Sequence, residues 1–258
     1  MYVLLLFALL GTAYLLVHSG LRRGRRYLVW AGALLGTATV LLFAGMDLWG
    51  EALWFSTLGY GPRFWTILGA QATTTAAGAL TALVLVSLLN TPARRVLPAI
   101  SPWVELVGAI GGGAWGWESW ESGLLFVHRS MAGVSEPVLG LDAGFYLFTL
   151  PFLDALSGLA LWVLVVAAGG AALAILVHLQ QGGSDQAQDR PILWPVATLS
   201  AALGVLIGAL ALLDLLHLLY SDLGVAAGPG WTDVNVRLPA YLTLFVLSVA
   251  LGAAPFLP

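Results

Sequence analysis

The 258-residue sequence has no cysteine. That excludes disulfides, thiolate metal sites and a thiol nucleophile, and it leaves the redox compartment open. Lysine is absent too, so all ten basic side chains are arginines. Charge of either sign is scarce at 9% of residues, where a soluble domain carries about a quarter. With so few cations and a net charge of −3, no basic face suited to nucleic acid can be drawn. The sequence also lacks a phosphate-cradling Gly loop followed by Lys, an HExxH helix and a nucleophile elbow.

What is present is apolar. Hydrophobic residues make up 60% of the chain and the mean hydropathy is +0.93. The apolar runs are continuous and do not alternate with period two, which favours spanning helices over a barrel. A span needs roughly 20 apolar residues. On that length the sequence predicts an all-α polytopic transmembrane bundle of about seven spans. They fall near 1–17, 27–48, 64–89, 100–115, 145–179, 192–216 and 240–258. The fourth is short and Gly-rich, and the fifth is long enough to be tilted or broken near Pro151. The first span has no basic residue before it and the block Arg22, Arg23, Arg25 and Arg26 after it. This is the reverse of a signal peptide.

Arginine placement sets the orientation. Arg22, Arg23, Arg25, Arg26, Arg94, Arg95 and Arg190 fall on one side, and Arg63, Arg129 and Arg237 on the other. The positive side is read as cytoplasmic. The N-terminus is then outside, the C-terminus inside, and the protein belongs to the cytoplasmic (inner) membrane. Three external segments follow: 47–63, 115–145 and 217–239. Trp49, Trp54, Trp65, Trp115, Trp117, Trp120 and Trp231 fall at or near that face. This one-sided excess implies segments that fold back onto the membrane and cap the spans.

The segment 117–131, read as a helix, places Trp117, Trp120, Leu124, Val127 and Met131 on one stripe and Glu118, Ser122 and Arg129 opposite. This is the pattern of an amphipathic interfacial helix. Glu121 and His128 lie two turns apart on its flank; two groups are too few for a metal site. Within the spans, Glu105 sits near a helix N-terminus, where the dipole favours a carboxylate. Asp154, Asp214 and His217 are the other intramembrane polar candidates, since such groups face a partner or a wet cavity. Asp214 and His217, three apart, read either as an interfacial pair or as a proton relay. Arg129 and Arg237 are the cations expected to pair with Asp142 and Asp233 and so to fix how the external loops dock. Gly32/Gly36, Gly108/Gly112/Gly116 and Gly204/Gly208 permit close helix packing. His18 and His178 are read as interfacial residues and not as haem ligands.

Four stretches in order carry a resemblance: WFSTLGYGPRFWTILGAQ (54–71), EPVLGLDAGFYLFTLPF (136–152), HLQQGG (178–183) and YSDLGVAAGPGWTDVNVRLPA (220–240). They resemble the motifs of a family of large, uncharacterised bacterial and archaeal membrane proteins. The resemblance covers about 27–258 and leaves 1–26 as an additional span with its basic turn. Glu136-Pro137 stands where the family has Asp-Pro, and Trp231 where its YTDV has Tyr. The resemblance implies a multi-span membrane domain. It further implies a large extracytoplasmic domain in long members, so the chain is expected to be a short form or a fragment. It implies no reaction, substrate or cofactor.

The functional expectation is a non-catalytic subunit or scaffold of a membrane complex. Its partners would be the bilayer, bound lipid, and other membrane subunits or copies of itself. The alternative is a transporter or lipid-handling protein whose cap gates a groove lined by Asp154, Asp214 and His217. A third option is a headgroup enzyme using Glu118, Glu121 and His128. No catalytic, metal or cofactor residue is assigned. The external cluster of interest is Glu121, His128, Arg129, Asp142, Tyr146, Trp231, Asp233 and Arg237.

Overall fold

A computed structural model describes the backbone of residues 2–91, 94, 98–180, 190–221 and 228–256, and the side chains of all these except 178–179 and 190–194. Arg95, the side chains of His178 and Arg190, Asp222 and the linker from Gln181 to Asp189 lie outside the described residues. Eight α-helices account for most of the rest: α1 (Tyr2–Arg22), α2 (Arg26–Thr57), α3 (Gly61–Leu89), α4 (Ser101–Glu118), α5 (Trp120–Val127), α6 (Leu150–Gln180), α7 (Arg190–His217) and α8 (Leu238–Ala253). Among the described residues there is no β-strand, only an isolated bridge between Ser135 and Asp142.

Among the described residues, six helical segments are long and apolar enough to cross a membrane: Tyr2–Arg22, Arg26–Thr57, Gly61–Leu89, Phe145–Val177, Pro195–Tyr220 and Asp233–Phe256. The fold is therefore the expected multi-span helical one. The Gly-rich fourth segment is a helix of 18 residues, about 27 Å long at 1.5 Å per residue. Helix α2 runs unbroken for 32 residues, about 48 Å, against a hydrocarbon core of about 30 Å. Its surplus carries Asp47, Trp49, Glu51 and Trp54. The aromatic-acidic stretch after 47 is thus the helix's own overhang, and the chain turns only at Leu58–Tyr60, where Gly59 has φ +79°.

The chain divides into two compact units, Met1–Leu68 and Gly69–Pro258. In the first, α1 and α2 form an antiparallel hairpin through a turn at Gly24, whose φ of +63° suits glycine. A Cβ on Gly32 would stand 2.7 Å from Ala13 O, so the close approach requires glycine there. Much of the remaining surface is apolar, with Leu4 75% and Trp30 74% exposed. Hydrocarbon solvates such a surface at no cost, whereas water does not.

In the second unit, α3, α4 and α6 enclose a core of Ala82, Val86, Leu159, Val163 and Val166. Glycines bring α3 and α4 together: a Cβ on Gly112 would lie 2.4 Å from Gly78 O, and one on Gly78 2.2 Å from Gly112 O. Two tryptophans tie α4 to α6. Trp115 Nε1 donates to Ala155 O at 2.6 Å and Trp162 Nε1 to Gly108 O at 3.2 Å. At one end of α3 and α4, Arg94 pairs with Glu105 and donates to Ser87 Oγ at 2.7 Å. Glu105 is therefore neutralised by a cation as well as favoured by its helix terminus. Helices α7 and α8 pack through Gly204 and Gly208 against Gly252 and Ser248. The small-residue pairs read from the sequence thus serve packing within each unit.

Two spans begin with a π-helical turn. Phe145–Thr149 leads into α6 and Asp233–Arg237 into α8. Each π turn is followed by Leu-Pro, namely Leu150-Pro151 and Leu238-Pro239. Proline lacks the N–H that would continue the i→i−4 ladder and its ring crowds that carbonyl. Widening the preceding turn to i→i−5 relieves the conflict: Leu150 N donates to Phe145 O and Leu238 N to Asp233 O. The fifth span is consequently not broken at Pro151, since α6 passes through it.

The amphipathic helix read over 117–131 is shorter and is interrupted. α4 ends at Glu118, α5 covers eight residues from Trp120, and the chain leaves it at His128. Side chains take its final carbonyls. His128 Nδ1 donates to Leu124 O at 3.0 Å and Arg129 Nη1 to Phe126 O at 3.1 Å. Met131 lies beyond the helix and belongs to no helical stripe. Phe126 stacks on Phe152 with centroids 4.6 Å apart, fixing α5 to α6.

Candidate functional site

Tyr146 of the first π turn, Leu238 after the second, the last turn of α7 and the 128–144 loop meet at one end of the second unit. A shallow open recess, with a cavity volume of only about 10 Å³, lies at this junction, lined by Glu136, Tyr146, Leu215, Leu218, Pro229 and Leu238 among others. Its lining is apolar apart from the Glu136 carboxylate and the Tyr146 hydroxyl.

The loop owes its shape to two carboxylates. Glu136 accepts from the backbone N–H of Val138 and Leu139, both at 2.5 Å, and from Leu141 at 3.4 Å. Pro137, which has no N–H, sits inside this turn, so the carboxylate reaches past it to the next donors. Tyr146 Oη also donates to Glu136 at 3.4 Å. Burial pushes the Glu136 carboxyl up, but the three backbone donors outweigh it and hold it below its usual value. Asp142 accepts from the N–H of Ala132 at 2.8 Å, Gly133 at 2.8 Å and Gly144 at 2.7 Å. The Ala132 amide is the largest influence lowering its carboxyl. Gly133 and Gly140, at φ +73° each, supply the left-handed turns that aim these amides inward.

A third carboxylate fixes the start of the last span. Asp233, 4% exposed, accepts from Gly230 N at 2.9 Å and from Arg237 Nη1 at 2.9 Å. Arg237 also donates to Tyr241 Oη at 3.4 Å. Of the two cations and two carboxylates expected to pair, Arg237 and Asp233 meet. Arg129 and Asp142 do not: Arg129 lies over the Phe126 ring at 4.6 Å, and backbone amides hold Asp142.

Below the recess an aromatic line leads to a polar pair. Tyr146, 4% exposed, meets Tyr220 edge-on at 6.1 Å, and Tyr220 lies 6.3 Å from the His217 ring. His217 Nε2 stands 3.1 Å from Asp154 Oδ2, joining α7 to α6. The sequence grouped His217 with Asp214, but the structure places Asp214 on an exposed face with no ion pair or hydrogen bond among the described residues. Trp231 is exposed and its carbonyl accepts from Asn235. Glu121 and His128 are exposed, and Glu121 is not drawn into the recess. Glu136 and Tyr220 are the site residues that the sequence reading did not select. The Glu-Pro pair was the available signal for the first; nothing in the sequence marked the second. Among the described residues no group of three or more His, Asp or Glu is placed to hold a metal.

The profile of the uncharacterised protein family (UPF0182) matches residues 28–257, and the chain belongs to that family. Curated relatives include a UPF0182 protein of Pelobacter propionicus, 36% identical over 63% of this chain and 18% of its own length. Others are those of Thermobifida fusca, 31% identical over 83% and 24% respectively, and of Synechococcus, 33% identical over 85% and 26%. The chain thus spans about a fifth to a quarter of the relatives it matches. No solved structure matches it.

Proposed function

We propose, taking membership of UPF0182 as the premise, that this chain acts as a non-catalytic subunit or scaffold of a membrane complex. It docks other membrane chains, or copies of itself, through its spans and through the loop platform around the recess. The observation that carries this reading is the state of the platform's carboxylates. Glu136 and Asp142 are occupied by backbone amides, and Asp233 by Gly230 N and Arg237. A general acid or base must reach a substrate proton; these groups instead spend their lone pairs on holding loops rigid. A rigid surface loses little entropy on docking.

The location proposed is the cytoplasmic membrane, N-terminus outside and C-terminus inside, with the platform on the outer face. The arginine distribution supports it: four in the α1–α2 turn and Arg94 after α3, against single arginines at the opposite ends. Bound lipid is expected along the exposed apolar faces.

The test is Asp142→Ala, which removes the acceptor of three loop amides and leaves the spans intact. The variant should keep its helix content by circular dichroism and lose the chains that accompany the wild type through mild-detergent purification. An unchanged complex alongside a protease-sensitive 128–144 loop would show that the platform is not the docking surface. A second reading, lipid handling, is favoured by the apolar lining of the recess. It predicts that filling the recess with Val138→Trp slows transfer of a fluorescent phospholipid between vesicles.

A further inference from the structure

Asp214 is anomalous in this fold. It lies inside the spanning segment Pro195–Tyr220, yet its side chain is exposed. Leu203, Ile207 and Leu210 are exposed on the same stripe of α7, at spacings of four, three and four residues ending on Asp214. This is the pattern of a helix face that receives another helix. The neighbouring stripe, Gly204, Gly208 and Ala211, about 100° round the helix, is already buried, and its glycines pack against α8.

The basic side chains of this unit that are described are committed elsewhere. Arg94 pairs with Glu105, Arg237 with Asp233 and His217 with Asp154. Arg129 rests on Phe126, and His128 donates to Leu124 O. Asp214 lies six residues before Tyr220, about 9 Å along the axis, and an Asp side chain has a single methylene where Lys or Arg has the stem to snorkel. A carboxylate so placed calls for a cation brought from outside the unit.

We propose that the Leu203–Ile207–Leu210–Asp214 face of α7 docks a second transmembrane helix that carries an Arg or Lys at the depth of Asp214. The apolar residues supply the packing seam and the carboxylate selects and registers the partner. This rests on the subunit reading above and names the chemistry of the partner.

The probe is a synthetic single-span peptide of Leu and Ala with one Arg about 9 Å from one end of its apolar stretch. A matched peptide has Leu at that position. Association with the full chain in phosphatidylcholine vesicles is read by fluorescence transfer. The Arg peptide should bind the wild type about tenfold more tightly than the Leu peptide. The margin should vanish with Asp214→Asn, and Asp214→Arg should prefer a peptide carrying Asp. Equal binding of the Arg and Leu peptides to the wild type would overturn the proposal and leave headgroups as the partner of Asp214. A margin that survives Asp214→Asn would also overturn it. The two peptides on the wild type decide the matter even if a variant does not fold. If the Arg peptide fails while the chain still purifies in a complex, this proposal falls alone; a clean monomer removes the subunit reading instead.

Discussion

His217 Nε2 lies 3.1 Å from Asp154 Oδ2, while Nδ1 of the same ring lies 2.8 Å from Leu213 O. A carbonyl only accepts, so Nδ1 is the donor there and Nε2 is left to face the carboxylate. The pair links α6 to α7 beneath the recess, and it is half-exposed, so its worth is modest. A double-mutant cycle with His217→Ala and Asp154→Asn should give a coupling of about 0.5–1 kcal/mol. Additive effects in thermal unfolding would show that the contact contributes nothing.

The 128–144 loop should be acid-labile. Glu136 and Asp142 have carboxyls held below their ordinary values. A depressed folded-state value contributes stability that is present above the unfolded-state value, about 4, and is lost as the pH falls through the lower folded value. Hydrogen exchange of Ala132, Gly133, Val138 and Leu139 should be slow at neutral pH and accelerate below about pH 4. Protection unchanged down to pH 2 would contradict the arrangement. Asp142→Asn should expose the same amides at neutral pH.

The α3–α4 seam should tolerate no side chain. Gly112→Val puts carbon against Gly78 O and Ala82 Cβ, and overpacking of this kind costs roughly 1–3 kcal/mol. Gly45, with nothing within 4 Å of its Cβ position, is the matched control. Gly45→Val should leave the thermal midpoint within a degree or two (about 0.5 kcal/mol). Equal effects at the two positions would refute the close approach.

Asn90 is 2% exposed and its amide finds no hydrogen-bond partner among the described residues. An unsatisfied buried amide costs about 1–3 kcal/mol. Asn90→Leu should therefore raise the unfolding midpoint. A destabilised variant would mean that the amide is satisfied after all.

The spans were legible because a bilayer demands continuous apolar runs, and composition alone reports them. Asp233 and Arg237 were legible as a carboxylate and a cation in need of partners, and they find each other because they are four residues apart. His217–Asp154 was not, since 63 residues separate the partners. Local spacing instead favoured Asp214, which sits on a neighbouring face. Asp142 misled for a related reason. A carboxylate in a loop reads as the partner of a cation, but a left-handed glycine turned backbone amides onto it. The π turns could have been suspected from Leu-Pro opening two spans, although Pro151 reads from sequence as a break.

The central claim is that this membrane domain works as a subunit and not alone. Native mass spectrometry of the full chain, released directly from membrane vesicles without detergent exchange, tests it most directly. The account predicts a discrete complex, either a homo-oligomer or the chain with a second membrane protein, that dissociates when the platform is disrupted by Asp142→Ala. A single species at the mass of one chain plus lipid would contradict it.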